Sequence, residues 1–297
     1  MRTVYLGTSE FAAAVLRRLA ASPHRPELVI TRPDRPQGRG LRLAAPPVAQ
    51  AARELGIELV QPESVNHEPT RAQVAQIGPD AICVCAFGAL IKDPLLSEHV
   101  LLNLHPSLLP RWRGAAPIER AIMAGDDHTG DSILRLTAGL DSGPVCLQAT
   151  EPISPQDTYG TLAARLAALG GELLVRALDT SPPCLEQDES LATYAEKITP
   201  QDRRLDPRRP AAELERMVRA LMPHIGARVE LEDGLWLGVR QARVLSAGGP
   251  PVGVVSLDGP RPVLGCAQGS LELVVVQPAG GRPMAGEDFL RGRRSRP

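Results

Sequence analysis

Short apolar runs alternating with amphipathic stretches fill the first half of the chain. "RTVYLGT" (Arg2–Thr8) is an apolar run ending at a glycine, and Ser9 is placed to cap the helix "EFAAAVLRRLAAS". "ELVIT" predicts a second strand, "VAQAARELG" a helix stopped by Gly56, and "IELVQ" a third strand. A helix around Thr70–Ile77 leads into the strand "AICVCAF", and "VLLNLH" is the next strand. Strands joined by helix-length connections predict an α/β, Rossmann-like domain whose mostly parallel sheet is covered on both faces. "GTSEFA" after the first strand is not the Gly-x-Gly-x-x-Gly loop of dinucleotide sites, so the sheet alone names no cofactor.

Beyond Leu134 the texture changes. "SILRLT" and "PVCLQATEPI" flank "AGLDSGP", a hairpin signal whose turn holds Asp141 between Gly139 and Gly143. "TYGTLAARLAALGGELLVRAL" has the period of an amphipathic helix covering a sheet. The Pro- and charge-rich stretch that follows reads as a linker, then "AAELERMVRALM" as a helix. "ARVELE", "LWLGV", "ARVLS", "VGVVSL" and "LELVVV" are short strands at the spacing of a small β-barrel. The expected division is residues 1–189 as a catalytic domain, 190–206 as linker, and 207–297 as an OB-like barrel.

Composition narrows the class. A chain of 297 residues, 43% hydrophobic and 23% charged, can bury one large core or two smaller ones. No apolar run is long enough to cross a bilayer, and the strand at the N-terminus leaves no room for a signal peptide, so no membrane association and a cytoplasmic location are expected. The net charge of −1 excludes a bulk electrostatic binder of nucleic acid but leaves room for a local basic patch. Lys92 and Lys197 are the only lysines, so nearly all the positive charge is arginine. Five cysteines without paired metal spacing predict a reduced protein without a metal, with Cys83 and Cys85 as small core residues.

Against this background "VLLNLHPSLLPRWRGAAPI" (Val100–Ile118) stands out. Residues two apart on a strand point the same way, so Asn103 and His105 share a face just before Pro106 ends the strand. Ligands of open parallel sheets bind beyond the carboxyl ends of the strands, which is where this pair lies. Asn supplies an amide donor, and His exchanges a proton near neutral pH. A carboxylate from another loop, for which Asp141 is the best candidate, would orient the imidazole. Together they suit a tetrahedral adduct at a carbonyl without a nucleophilic Ser or Cys. Taken alone, Asn-x-His also fits a structural pair and Asp141 fits ordinary turn chemistry; spacing does not show that the three meet.

"NLHPSLLPRWRGAAPI" followed by "GLDSGP" resembles the folate-dependent formyltransferases, in which Asn, His and Asp form the active site. "TRPDRPQGRG" (Thr31–Gly40), "LATYAEKIT" (Leu191–Thr199) and "LVVVQPAGGRPM" (Leu273–Met284) extend the resemblance over nearly the full chain, towards the branch that formylates methionyl-tRNA. The resemblance implies transfer of a formyl group from 10-formyltetrahydrofolate to the α-amine of initiator methionyl-tRNA, by a monomer without a metal. It implies catalytic roles for Asn103, His105 and Asp141. It places folate against Ser107, Leu108, Leu109 and Pro110 and the loop Ala86, Phe87 and Gly88. The loop Pro33–Leu41 would meet the acceptor end of the tRNA through Arg39, with Arg35 and Arg42 beside it, and the arginine-rich barrel would hold the tRNA backbone. Phe87, the Asp131–Ser132 pair and His224 in "MPHIGA" depart from the usual residues of the family. The rivals are a sugar-nucleotide formyltransferase acting on a small aminosugar and a folate- or tRNA-binding protein without turnover; the intact trio argues against the second.

Overall fold

The computed structural model describes residues 1–37, 42–246 and 248–294. In chain order the first elements are β1 (Thr3–Gly7), α1 (Glu10–Ala20), β2 (Pro26–Ile30), β3 (Arg35–Gln37), β4 (Arg42–Ala44), α2 (Pro47–Leu55), β5 (Glu58–Val60), α3 (Glu68–Ile77) and β6 (Ala81–Cys85). They continue with α4 (Leu95–Glu98), β7 (Leu101–His105), β8 (Arg113–Gly114), α5 (Pro117–Ala124), β9 (His128–Arg135), β10 (Val145–Pro152) and α6 (Tyr159–Thr180). Two compact units result: Met1–Gly114, His128–Pro152 and Ala163–Tyr194 form one, and Ala115–Asp127, Ile153–Leu162 and Ala195–Pro297 the other.

The first unit is built on a seven-stranded sheet in the order β10-β9-β7-β6-β1-β2-β5. β7, β6, β1, β2 and β5 are parallel, while β9 runs antiparallel to β7 and to β10. The parallel strands are apolar on both faces, and every residue of β1, β6 and β7 is buried. One core lies under α1, α2 and the later part of α6, around Tyr5, Leu16, Leu104 and Leu174; a second lies on the opposite face around Leu6, Ile30, Ile82 and Leu101. Ser9 caps α1 as expected, accepting from the Ala12 amide, and Gly56 ends α2 at φ 63°, a left-handed geometry that suits glycine.

β11 (Tyr194–Ala195) falls where the chain passes from the first unit to the second. The second unit contains α7 (Ala211–Ala220), β12 (Ala227–Glu230), β13 (Trp236–Leu245), β14 (Val255–Ser256), β15 (Val263–Gly265), β16 (Ser270–Pro278), β17 (Met284–Ala285) and α8 (Gly286–Arg294). Its antiparallel sheet has the order β12-β13-β16-β15-β14, with β17 on β16, as an OB-like architecture requires. Leu214 and Met217 of α7 enter its core with Leu237, Val239, Leu271 and Val276. The runs "LWLGV" and "ARVLS" are one strand, β13, because register shifts between Val239 and Ala242 bend it without breaking it.

Cys83 and Cys85 are buried core thiols, and burial pushes the Cys83 thiol up to about 12. The reduced state expected for all five cysteines is corrected at one pair. Cys146 and Cys184 are disulfide-bonded, because reciprocal backbone bonds between Val145 and Leu185 bring their neighbours face to face.

Candidate active site

β7 lies between β6 and β9, and its carboxyl end delivers Asn103 and His105 to the edge of the sheet. Both side chains are buried, so a reacting group meets them out of bulk water. The β9–β10 connection brings Asp141 over the same edge. Gly143 permits this: a Cβ there would lie 1.9 Å from the Arg135 carbonyl oxygen, inside the backbone. Asp141 itself stands at φ 47°, a left-handed conformation that disfavours side chains larger than glycine's and marks a turn held by its surroundings.

The structure brings the three sequence-identified residues together. Asn103 Nδ2 lies 3.5 Å from Asp141 Oδ1, and His105 Nδ1 lies 3.5 Å from Asp141 Oδ2. The short contact to this carboxylate comes from the backbone, where the Gly114 amide donates to Oδ2 at 2.9 Å. His105 Nε2 donates to the Trp112 carbonyl at 2.8 Å. A carbonyl oxygen only accepts, so Nε2 carries a hydrogen and Nδ1 is the ring position that faces the carboxylate. Trp112 adopts φ 64°, which turns its carbonyl toward the imidazole.

The segment after His105 is fixed by its own network. Ser107 is fully buried and its hydroxyl donates to the Arg111 carbonyl at 2.6 Å. Ser132 donates to the Ser107 carbonyl at 2.6 Å and accepts from the Leu109 amide at 3.1 Å. Gln148 adds bonds to the Leu109 carbonyl and the Ser132 hydroxyl. A serine at position 132 therefore supplies the hydroxyl this turn uses. Leu109 is buried, while Leu108 and Pro110 are half-buried at the edge, and the Leu109–Pro110 peptide is cis.

The loop Ala86–Phe87–Gly88 leaves the end of the neighbouring strand β6, with Ala86 at φ 41° and Gly88 at φ 70°. Thr8, just past β1, donates to the Phe87 carbonyl at 2.7 Å. This ties together the loops that follow β1 and β6, the next two strands along the sheet from β7, at the crevice where open α/β sheets bind ligands.

Of the arginines expected to meet tRNA, Arg35 is exposed on β3, which pairs with β4 in a two-stranded hairpin. Arg42 lies on β4, and Arg39 falls outside the described residues. In the second unit many arginines are paired with acids: Arg243 and Arg261 with Glu272, Arg219 with Glu215, Arg209 with Glu213. Arg204 and Arg228 lie over the Trp236 ring at 5.0 and 4.5 Å. His224 meets Glu119 at 2.9 Å and the Tyr159 ring at 3.8 Å between centroids.

The other departure has no partner. Asp131 is fully buried on β9, and neither carboxylate oxygen meets a donor among the described residues. Burial, reinforced by the Glu151 charge, pushes its carboxyl well above the usual carboxylate range.

Sequence reasoning missed Gln187 and Arg113. Arg113 is almost fully buried, with its guanidinium on Glu189 and on the Gln187 side-chain oxygen, and Gln187 reaches the backbone of the Asp141 turn. The only local signal was an arginine inside the "RWRG" run, since the partners lie more than seventy residues away.

Comparison with known proteins identifies the family of the chain. The formyl transferase family model matches residues 1–178, and the formyl transferase C-terminal domain model matches residues 197–294. A methionyl-tRNA formyltransferase of Ectopseudomonas mendocina is 41% identical over 99% of this chain and 95% of its own length. One from Acidithiobacillus ferrooxidans is 43% identical over 99% of this chain and 96% of its own. Among solved structures, HypX from Aquifex aeolicus in complex with tetrahydrofolic acid has a TM-score of 0.65 at 18% identity, covering 98% of this chain and 47% of that one. An N-formyltransferase from Helicobacter canadensis, in complex with folinic acid and dTDP-3-aminofucose, has a TM-score of 0.66 at 13% identity, covering 92% of this chain and 98% of that one. These two likenesses concern the fold. By its family models and its full-length relatives, the chain belongs to the methionyl-tRNA formyltransferase family.

Proposed function

We propose that this protein transfers the formyl group of 10-formyltetrahydrofolate to the α-amine of methionine on initiator methionyl-tRNA, yielding formylmethionyl-tRNA for translation initiation. The observation that carries the reading is one carboxylate, Asp141, reached by both Asn103 and His105 at the sheet's carboxyl edge, in a chain matched end to end by methionyl-tRNA formyltransferases. On this reading residues 1–189 carry the chemistry, 190–206 link, and 207–297 hold tRNA. The protein acts as a monomer in the cytoplasm.

The reaction forms a bond from the methionine nitrogen to the formyl carbon and breaks the bond from that carbon to the folate nitrogen. The attacking amine must be neutral, and its reference pKa of roughly 7.7–8.0 makes that accessible near neutral pH. Asn103 Nδ2 is held at 3.5 Å, the loose limit of hydrogen bonding, so an oxyanion entering beside it can take over that donor; His105 Nδ1, also 3.5 Å from Asp141, first takes the proton the amine loses and only then offers an N–H to the oxyanion. Asp141 orients the ring, and the imidazolium formed when Nδ1 takes the amine proton is stabilised by that carboxylate until it passes the proton to the leaving nitrogen. The Ser107–Pro110 turn and the Ala86–Gly88 loop flank this point and fit the folate co-substrate; Leu109 supplies apolar wall.

The test is to incubate the protein with 10-formyltetrahydrofolate and either charged initiator tRNA or an aminosugar nucleotide. Formylmethionyl-tRNA is the expected product. Formylation of the sugar alone, or of neither acceptor, overturns the reading.

A further inference from the structure

Asp141 occupies a left-handed backbone conformation, and its carboxylate has one short bond, from the Gly114 amide. Something else must hold the turn. Gln187 Nε2 donates to the carbonyl oxygens of both Asp141, at 2.8 Å, and Gly143, at 2.7 Å. Its Oε1 accepts from Arg113 Nε at 3.0 Å and Nη2 at 2.9 Å. All the hydrogen-bonding capacity of one amide is used, and in one orientation only: reversed, the amide would set oxygen against two carbonyls and NH2 against a guanidinium.

The support behind Gln187 is rigid. Arg113 is fixed by a forked pair to Glu189 at 2.9 and 2.7 Å, and its backbone amide donates to the Thr193 carbonyl. The segment carrying Gln187 is fastened to β10 by the Cys146–Cys184 disulfide and the Val145–Leu185 backbone bonds. Gly114, next to Arg113, is the residue whose amide holds the Asp141 carboxylate. The same short segment thus grips the turn twice, at the side chain through Gly114 and at the backbone through Gln187.

We infer that Gln187 is a positioning residue for formyl transfer, clamping the Asp141 turn so that the carboxylate faces His105 and Asn103. The inference rests on the proposed function. Gln187 touches no substrate; it acts through Asp141.

Gln187→Glu separates positioning from mere structural support. The variant keeps side-chain length and its contact with Arg113, now an ion pair, but it sets a carboxylate against two carbonyl oxygens. The folded state, read by a cooperative melt, is retained. Turnover should fall about tenfold to a hundredfold, as displacements of about 1 Å do, while KM for both substrates stays near the wild-type value. Gln187→Ala should lose turnover and melt lower, because Arg113 loses a partner. Hydrogen exchange at the Gly114 amide reads the carboxylate's position without substrate, and Gln187→Glu should speed it. A Gln187→Glu protein with wild-type kcat, or with Gly114 as protected as in the wild type, overturns the inference. If the wild type formylates no tRNA, the functional reading fails, and Gly114 exchange still decides the clamp.

Discussion

Asp131 offers a stability test that owes nothing to activity. Its carboxyl is buried on β9, with neither oxygen partnered among the described residues. Burial raises its pKa well above the usual range in the folded state. The folded protein therefore holds the Asp131 proton more tightly than the unfolded chain does. For an acid shifted this way, stability is highest below the unfolded value, about 3.9, and is lost as pH rises toward the folded value. The loss is about 1.4 kcal/mol for each pH unit within that window. Asp131→Asn removes the titration and should flatten this slope, though it leaves polar atoms buried. Asp131→Val removes both. Relief of unpaired buried polar atoms is worth about 1–3 kcal/mol, so this variant should exceed the wild type in stability, increasingly so at higher pH. A Cβ at Gly170 would lie 3.1 Å from the Asp131 carboxyl carbon, so α6 packs closely here and valine is a better fit than leucine. Urea unfolding at about pH 5 and about pH 7.5 measures all three proteins. Equal pH slopes for wild type and Asp131→Asn, or a less stable Asp131→Val, would refute the reasoning.

Other perturbations reach the site from different sides. The Cys146–Cys184 bond closes a loop of sequence separation 38, for which chain entropy gives about 4 kcal/mol; Cys184→Ser should lower unfolding free energy by up to that amount, and an unchanged denaturation midpoint would show the bond is not made. Arg39→Leu should reduce kcat/KM for initiator tRNA strongly and leave folate binding intact, with Arg39→Lys recovering part of the loss because a point charge does not copy a guanidinium fork. Unchanged tRNA kinetics in Arg39→Leu would remove that loop from recognition. Ser132→Ala should raise KM for the formyl donor, since one hydroxyl joins the Ser107 carbonyl to the Leu109 amide; an unaltered donor KM would detach that turn from folate binding.

The centre of the parallel sheet was legible because every residue of β1, β6 and β7 is buried and such strands announce themselves as near-continuous apolar runs. The Asn103–His105 pair was legible for a related reason: polar residues at alternate positions in such a run need an explanation. Asp141 was readable as a turn residue, but its distance from the pair depends on the β9–β10 register, which no local pattern carries. Gln187 gave no signal. "LEQDES" looks like a solvated loop, and its hydrogen bonds run to residues 74, 46 and 44 positions away. Cys146 and Cys184 meet through one backbone pairing that spacing does not reveal. In the second unit, "LWLGV" and "ARVLS" looked separate because the register shifts around Gln241 interrupt the alternation of a single strand. α5 starts at the last two residues of the motif read for chemistry and was not read as an element. Its packing on α7 explains why Ala115–Asp127 groups with the later residues instead of its sequence neighbours.

The central claim is that Asn103 and His105, oriented by Asp141, stabilise the charge that develops as the formyl group moves. Single-turnover formylation of charged initiator tRNA tests it most directly, with wild type, Asn103→Ala and His105→Ala each confirmed folded by circular dichroism and saturated with formyl donor. Loss of one oxyanion donor is expected to slow the chemical step by about 10²–10³. A folded His105→Ala protein that transfers the formyl group at nearly the wild-type rate would contradict the account.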